Sequence, residues 1–253
     1  MLELLYEPNG LPSFALPAGL AAEYPGTLGL PDDCVYVNFV ETLDGVVALP
    51  EVPRSNRIIS DESDSDLFVM SLLRACADAV VVGSHTLLAS PKNRWTADAA
   101  YPRAADDLNA LRRSLGHVRD PDVVVLSRRR DIESEALRDR LLVRDDVHAA
   151  IAELRERGCR RILCEGGPTL FGSLLADGVV DELFLTVSPL LAGRGLSLVE
   201  GVELLPEKRV AGELAGVRRD ASHLFLRYRL ERRPATRAAA TARSSSSRRA
   251  FRT

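Results

Sequence analysis

The sequence of 253 residues has four cysteines, almost no lysine and no long apolar run. Without an apolar run of about 18 residues or an N-terminal signal pattern, we expect neither a membrane span nor secretion. No two cysteines form a CxxC pair, so four buried free thiols in a reducing compartment are expected. Lysine occurs only at Lys92 and Lys208, which leaves the basic roles to arginine. We therefore expect a soluble, cytoplasmic protein.

Acidic residues outnumber basic ones over most of the chain. Residues 232–253 contain seven arginines and no acid, so residues 1–231 carry all 36 acidic residues and 26 basic ones. This balance argues against general nucleic-acid binding, although local arginines can still bind an anionic substrate. The segment 232–253 has almost nothing to bury and is predicted to be a disordered tail. A nucleic-acid-binding tail is the alternative.

One stretch has the composition of a strand that meets a helix N-terminus. The apolar run at 162–164 reaches Glu165, then Gly166, Gly167 and Pro168. Glycines leave room for a ligand close to the backbone, and proline suits the first helical turn. Free N–H groups and the helix dipole favour a phosphate at such a joint. We predict a dinucleotide diphosphate there, with Glu165 facing a second, polar substrate.

Apolar strand patterns alternate with helical patterns along the chain. Strands are expected at 35–40, 79–83, 122–127, 162–164 and 182–187. Helices are expected at 60–77, around 108–115, at 147–157 and from 168, and an antiparallel hairpin at 207–219 and 222–231. This order predicts an α/β fold with three layers, α/β/α, around a mixed, mostly parallel sheet. We expect one domain over 1–231, with an irregular lead-in at 1–33.

Seven motifs, taken in order, resemble the reductase domain of the bifunctional riboflavin-biosynthesis deaminase/reductase. They are Thr-Leu-Asp-Gly at 42–45, Ile-Ile-Ser at 58–60, Leu-Leu-Arg at 72–74, Asp-Ala-Val-Val-Val-Gly-Ser-His-Thr at 78–86, Val-Val-Leu-Ser-Arg at 124–128, Glu-Gly-Gly-Pro-Thr-Leu at 165–170 and Leu-Leu-Ala-Asp-Gly-Val-Val-Asp-Glu-Leu at 174–183. The resemblance covers about residues 33–231. It implies a dihydrofolate-reductase-like fold.

The resemblance also implies a reaction. The family reduces the ribose of 5-amino-6-(5-phosphoribosylamino)uracil, or a pyrimidine analogue, to the ribityl form with NADPH, without a metal and as a homodimer. The deaminase half would need His-x-Glu and Pro-Cys-x-x-Cys to bind zinc. Neither motif occurs in this sequence, so we expect the reductase step only.

The resemblance assigns cofactor contacts to the ends of three strands. The predicted NADPH-binding residues are Gly83, Ser84, Thr86, Ser127, Arg128, Gly166, Gly167, Pro168, Thr169 and Leu170. Arg128 would suit the 2′-phosphate of NADPH. Related reductases also suggest a cis peptide bond between Gly166 and Gly167. The alternatives are an ordinary N-cap by Ser84, a plain tight turn at the glycines and a solvated arginine cluster around Arg128.

The substrate contacts implied by the resemblance are Ser55, Arg74, Arg94 and Glu165, and the catalytic candidates are Glu165 and Asp44. Arg74 would bind the substrate phosphate. Its alternative is a surface arginine that compensates a helix dipole. Glu165 has a structural carboxylate as its alternative, and Asp44 a turn aspartate.

The sequence departs from the family pattern in the loop that follows Thr86. Ser90 stands where an acid is usual, and Arg94 is assigned as a second phosphate ligand across a loop of different length. Two further functions stay open for this chain. One is NADPH-dependent reduction of another small substrate, such as dihydrofolate. The other is a non-catalytic nucleotide-binding paralogue.

Overall fold

The computed structural model describes residues 1–52 and 54–231, so the predicted tail at 232–253 lies outside the described residues. The strands are β1 (Glu3–Tyr6), β2 (Cys34–Glu41), β3 (Val46–Ala48), β4 (Ala79–Gly83), β5 (Asp122–Leu126), β6 (Leu141–Arg144), β7 (Arg161–Cys164), β8 (Glu182–Val187), β9 (Leu196–Ser197), β10 (Gly212–Asp220) and β11 (His223–Leu230). The helices are α1 (Ala18–Glu23), α2 (Ser55–Ile59), α3 (Asp64–Cys76), α4 (Ser84–Ala89), α5 (Ala97–Ala100), α6 (Ala105–Ser114), α7 (Val147–Glu156) and α8 (Pro168–Ala176), with 3₁₀ turns at Pro102–Ala104 and Glu135–Leu137.

Nine strands form one mixed sheet in the order β1-β10-β11-β8-β2-β7-β4-β5-β6. The five pairings from β8 to β6 are parallel, and the three from β1 to β8 are antiparallel. The predicted mixed, mostly parallel sheet with a C-terminal hairpin is therefore confirmed. The hairpin begins later than expected, at Gly212. Strands β3 and β9 form a separate antiparallel pair.

Helices cover both faces of the sheet, as the three-layer prediction requires. One core contains Leu20 of α1, Phe68 of α3 and Leu108 of α6. The other contains Leu154 of α7 and Phe171 of α8. Strand β4 is apolar throughout because helices pack on both of its faces, as is usual for parallel strands.

The lead-in is more regular than predicted, since residues 1–33 include β1 and α1. Sequence patterns did not indicate β1, because all four of its residues are exposed at the edge of the sheet. Two buried arginines of β10 and β11 bind this segment to the main sheet. Arg218 donates to Glu7 at 2.6 Å, and Arg227 donates to the carbonyl of Gly29 at 2.6 Å. The lead-in thereby becomes part of the domain.

All four cysteines are buried and none of them forms a disulfide in the described part of the chain, as the absence of a CxxC pair predicts. Across residues 1–52 and 54–231, no helix is long and apolar enough to cross a bilayer. Strands β2, β7, β4 and β5 run in the same direction, so their carboxyl ends meet at one edge of the sheet. The predicted cofactor residues follow the ends of β4, β5 and β7.

Candidate active site

Glycines from two neighbouring strand ends form an open cradle. The N–H of Gly83 donates to the carbonyl of Gly166 at 2.8 Å, which ties the end of β4 to the loop after β7. A Cβ atom on Gly83 would lie 3.4 Å from the nitrogen of Gly167. A Cβ on Gly167 would have one neighbour within 4 Å, Thr86 Oγ1 at 4.0 Å. The Gly166–Gly167 peptide bond is cis, as predicted.

The cradle has the features of a phosphate site. Helix α8 starts at Pro168 with Gly167 as its N-cap, so its first N–H groups face the cradle without a side-chain cap. Gly83 precedes α4 in the same way, and Ser84 and Thr86 lie in its first turn. Unpaired N–H groups and a helix dipole suit a diphosphate, and the missing Cβ atoms leave space for one. The structure thus brings together the predicted cofactor residues of β4 and of the joint at 166–170.

Ser127 and Arg128 continue the same edge of the sheet. Leu126 of β5 pairs in parallel with Gly83, and the N–H of Ser127 donates to the carbonyl of Arg144 at 2.7 Å. Arg128 follows as an exposed residue. The two arginines after it pair with Asp131 and Asp145, at 3.0 and 2.8 Å. Within the described part of the chain, Arg128 has no carboxylate partner and can meet an anion.

Arg74 and Glu165 pair with each other in the interior. Arg74 Nε donates to Oε1 at 2.7 Å, and Nη2 donates to Oε2 at 2.6 Å. Their side chains are only 3% and 6% exposed. The indole of Trp95 covers the guanidinium, whose carbon lies 5.1 Å from the ring centroid. The two predicted substrate residues are therefore in one place, as a buried bidentate ion pair.

Arg94 is not brought to this pair. Its side chain lies 3.8 Å from Asp120, and its carbonyl accepts from Arg140 at 2.9 Å. Arg140 also donates to the carbonyl of Pro121, directly before β5, so Arg94 lies near the amino edge of the sheet. The next residue, Trp95, has φ of 57° and turns inward against the guanidinium instead.

Ser55 bonds to a residue of its own neighbourhood in the chain and, in the described part of the chain, forms no hydrogen bond with the ion pair or the cradle. It is the first residue of α2, and its hydroxyl accepts from the N–H of Leu49 at 3.1 Å. Ser55 is buried. The hydroxyl thus organises the connection between β3 and α2.

Asp44 holds the loop that follows β8. Its carboxylate accepts from the N–H groups of Ala192 and Gly193, at 3.0 and 2.7 Å. The hydroxyl of Thr42 and these two amides lower the pKa of Asp44 to about 2. These contacts give Asp44 a structural role in orienting this loop, which is closer to the turn aspartate than to the catalytic assignment.

Sequence reasoning gave no role to Trp95, whose indole covers the guanidinium of Arg74. Asp66 lies in the first turn of α3 and, with Asp64, is one of the two acids that the dihydrofolate alternative would place against its substrate. Burial raises the pKa of Asp66 to about 6.

Comparison with known proteins identifies the family. Residues 33–226 match the RibD C-terminal domain. The chain belongs to this family. It is 31% identical over 176 residues to the 2,5-diamino-6-ribosylamino-4(3H)-pyrimidinone 5′-phosphate reductase of Methanothermobacter thermautotrophicus, which covers 63% of this chain and 79% of the relative. The reductase of the same name from Archaeoglobus fulgidus is 31% identical over 189 residues, covering 63% and 81%.

RibD proteins are longer than this chain. The Escherichia coli riboflavin biosynthesis protein RibD is 28% identical over 193 residues, which span 66% of this chain and 52% of that protein.

Solved structures show the same fold. A pyrimidine reductase-like protein from Corynebacterium diphtheriae superposes with a TM-score of 0.60 at 19% identity, covering 85% of this chain and 99% of that one. Acinetobacter baumannii RibD superposes with a TM-score of 0.58 at 17% identity, covering 79% and 58%. The resemblance drawn from the seven motifs is confirmed.

Proposed function

We propose that this member of the RibD C-terminal domain family reduces the ribose of a 6-ribosylamino-pyrimidine 5′-phosphate to the ribityl form with NADPH, in riboflavin biosynthesis. The substrate is 5-amino-6-(5-phosphoribosylamino)uracil or its 2-amino analogue. The archaeal relatives named as pyrimidinone 5′-phosphate reductases support the substrate class. The observation that carries the proposal is the glycine cradle beside the Arg74–Glu165 pair, at one edge of the sheet.

The residues of the cradle fit a dinucleotide cofactor. Gly83, Gly166 and Gly167 leave backbone groups open to a diphosphate, and the start of α8 adds its dipole. Arg128 is exposed at the end of the neighbouring strand β5. Its guanidinium could form an ion pair with the 2′-phosphate of NADPH there. When bound, the nicotinamide supplies a hydride to the former anomeric carbon of the opened ribose. The chain itself binds and orients the cofactor and the substrate, and it excludes water from them.

On the substrate side, we assign Glu165 to the ribose hydroxyls or the base. Arg74 holds the Glu165 carboxylate in one orientation through two hydrogen bonds, and we keep it as the candidate ligand of the substrate phosphate. Ser55, the first residue of α2, is kept as a substrate contact on the ground of the family resemblance. Asp44 positions the loop at Ala192 and is not assigned a proton. We leave Arg94 out because its side chain faces Asp120.

We further propose a homodimer in the cytoplasm. Strands β8 and β11 carry cross-strand apolar pairs on the face of the second core: Leu226 with Leu185, Tyr228 with Leu183 and Leu224 with Val187. Several of these side chains are half-buried, and Leu224 is exposed. A second copy would cover them. Light scattering of the protein and of Leu226→Lys tests this: the variant is expected to be monomeric, and an unchanged mass overturns this interface.

One experiment tests the catalytic proposal. The purified protein is given NADPH with the ribosylamino-pyrimidine phosphate or with dihydrofolate, and NADPH oxidation is followed by absorbance. Oxidation with the pyrimidine alone is expected, together with formation of the ribityl product. Glu165→Gln should lose most of the turnover, whereas Glu203→Gln, at an exposed acid, should not. Turnover with dihydrofolate alone, or NADPH binding without turnover on either compound, would contradict the proposal.

A further inference from the structure

The substrate half of the candidate site is closed in this structure. The side chains of Arg74 and Glu165 are only 3% and 6% exposed, and the indole of Trp95 lies over the guanidinium, 5.1 Å from its carbon to the ring centroid. Trp95 is itself 3% exposed. A substrate cannot contact the ion pair while these three side chains are packed together. Binding therefore requires that one of the segments around the pair moves.

Two of the three segments that meet at the pair are fixed by hydrogen bonds. Arg74 lies near the end of α3, where Arg112 donates to the carbonyls of Arg74 and Ala77 at 3.0 and 2.9 Å. Glu165 follows β7 inside the sheet, and its N–H donates to the carbonyl of Val81 at 3.0 Å. Neither segment can withdraw without disrupting the end of the helix or the sheet.

The third segment is the loop at 90–96, which joins α4 to α5 without helix or strand. The N–H of Trp95 donates to Oδ1 of Asn93 in the same loop, at 2.9 Å. Arg140 donates to the carbonyl of Arg94 at 2.9 Å and so anchors the loop one residue before the indole. Trp95 is therefore the part of the cover that can move about a fixed neighbour.

Trp95 lies in an unfavourable conformation and is incompletely bonded. Its φ of 57° is in the left-handed region, which is an outlier for a bulky side chain. In the described part of the chain, its buried indole N–H and the buried hydroxyl of Thr96 have no hydrogen-bond partner. Buried donors without acceptors are unfavourable, and exposure to water restores their bonds. Backbone outliers of this kind are concentrated at ligand clamps and switch segments.

We propose that Trp95 is the lid of the substrate half, which covers the Arg74–Glu165 pair in the free protein and swings outward when the phosphorylated pyrimidine binds. This inference rests on the proposed function and deepens it. Glu165 occupies Nε and Nη2 of Arg74, so that Nη1 is left for an anion once the indole has moved. The glycine cradle is already open, so the cofactor binds without displacing the lid.

The lid can be followed directly because Trp95 is the single tryptophan of the 253 residues. Collisional quenching of its fluorescence by acrylamide, with lifetimes measured alongside, gives the accessibility of the indole in the full chain. Three states are compared: the free protein, the protein with NADP⁺, and the protein with NADP⁺ and 5-amino-6-(5-phosphoribosylamino)uracil or its 2-amino analogue. The quenching rate constant should be low in the first two states and severalfold higher in the third.

The outcomes separate the lid from the proposed function. Turnover of the pyrimidine with NADPH, together with an indole that stays inaccessible in the third state, overturns the lid and leaves the function standing. A rise with NADP⁺ alone also overturns it, because Trp95 would then respond to the cofactor half. Absence of turnover with either pyrimidine contradicts the function, and the lid with it.

Removing the lid should lower the KM for the pyrimidine phosphate. Trp95→Gly deletes the indole, and glycine adopts a φ of 57° without strain. The KM for the pyrimidine should fall severalfold, because the substrate no longer has to displace a side chain, whereas the KM for NADPH should not change. Trp95→Phe keeps an aromatic cover and should return the KM to that of the unmodified chain.

Phe14→Ala is the matched control. It removes a ring that lies over the guanidinium of Arg161 at 5.0 Å, at the start of β7 and so at the opposite edge of the sheet. Both KM values should stay unchanged in this variant, and thermal melting shows which variants are folded. An unchanged or higher KM for the pyrimidine in folded Trp95→Gly overturns the inference. The quenching measurement uses the unmodified chain and decides the question if Trp95→Gly does not fold.

Discussion

The two halves of the candidate site are built from different atoms. The cofactor half consists mainly of backbone at Gly83, Gly166 and Gly167, where short loops join parallel strands to helices. The substrate half consists of side chains from distant parts of the chain, with Arg74 of α3 held against Glu165 after β7. A backbone site depends on local turns, whereas the ion pair depends on tertiary packing. The cofactor half and the substrate half lie at the same edge of the sheet, but we expect mutations to affect them differently.

Breaking the ion pair should have the largest effect. Arg74→Ala leaves the Glu165 carboxylate buried and unpaired, so the free energy of unfolding should fall by about 3–5 kcal/mol. Urea denaturation measures this loss. Arg129→Ala, which breaks an exposed, solvent-screened pair with Asp131, should leave the free energy of unfolding nearly unchanged. Replacing both partners, as in Arg74→Met with Glu165→Leu, should recover much of the stability. A loss in Arg74→Ala no larger than that control would show that the pair is not a structural unit.

Adding a methyl group in the glycine cradle should weaken NADPH binding without lowering the stability of the fold. Gly167 has φ of −83°, which alanine also adopts, and a methyl group there would have only Thr86 Oγ1 at 4.0 Å as a neighbour. Gly167→Ala should therefore fold normally but weaken NADPH binding about 10- to 100-fold, measured by calorimetry. Gly116→Ala is the opposite case. Its φ of 84° makes alanine unfavourable by about 1–2 kcal/mol, and NADPH affinity should not change. Equal NADPH affinity in Gly167→Ala and the unmodified chain would remove the cradle from the cofactor site.

The arginine after β5 should set the choice of cofactor. Arg128→Ala should reduce the preference for NADPH over NADH about tenfold, because one charge-assisted contact to the 2′-phosphate is lost. Steady-state kinetics with both cofactors measure the ratio. Arg130→Ala is the matched control, since Arg130 already pairs with Asp145 at 2.8 Å. An equal change of the NADPH/NADH preference in both variants would indicate a general effect of positive charge and not a contact between Arg128 and the 2′-phosphate.

The smallest effect is expected at Asp44. Its pKa is depressed from 3.8 to about 2, so its hold on the loop is complete above about pH 4 and is lost as the pH falls toward 2. Hydrogen exchange at the amides of Ala192 and Gly193 should report this loss. Asp44→Asn should show weaker protection already at pH 6 and a few-fold lower kcat. Equal protection in both proteins across this range would assign the loop order to other contacts.

The sequence predicted the backbone half of the site better than the side-chain half. The strand ending at Gly83 and the joint at 162–170 are local patterns, since apolar runs, glycines and an N1 proline act on their immediate neighbours. The link between Arg74 and Glu165 spans 91 residues, and periodicity contains no information on it. The assignment of Arg94 depended on loop length, and the inward turn of Trp95 left Arg94 near Asp120.

The hydrogen bond from Gly83 to Gly166 connects main-chain atoms of two crossover loops. At these two positions only proline at 83 would remove the donor, so this link between the loops persists when neighbouring side chains change. Substrate choice has no such protection, because it depends on individual side chains near α3. A single side-chain substitution can therefore alter the substrate half while this main-chain link between the loops stays intact.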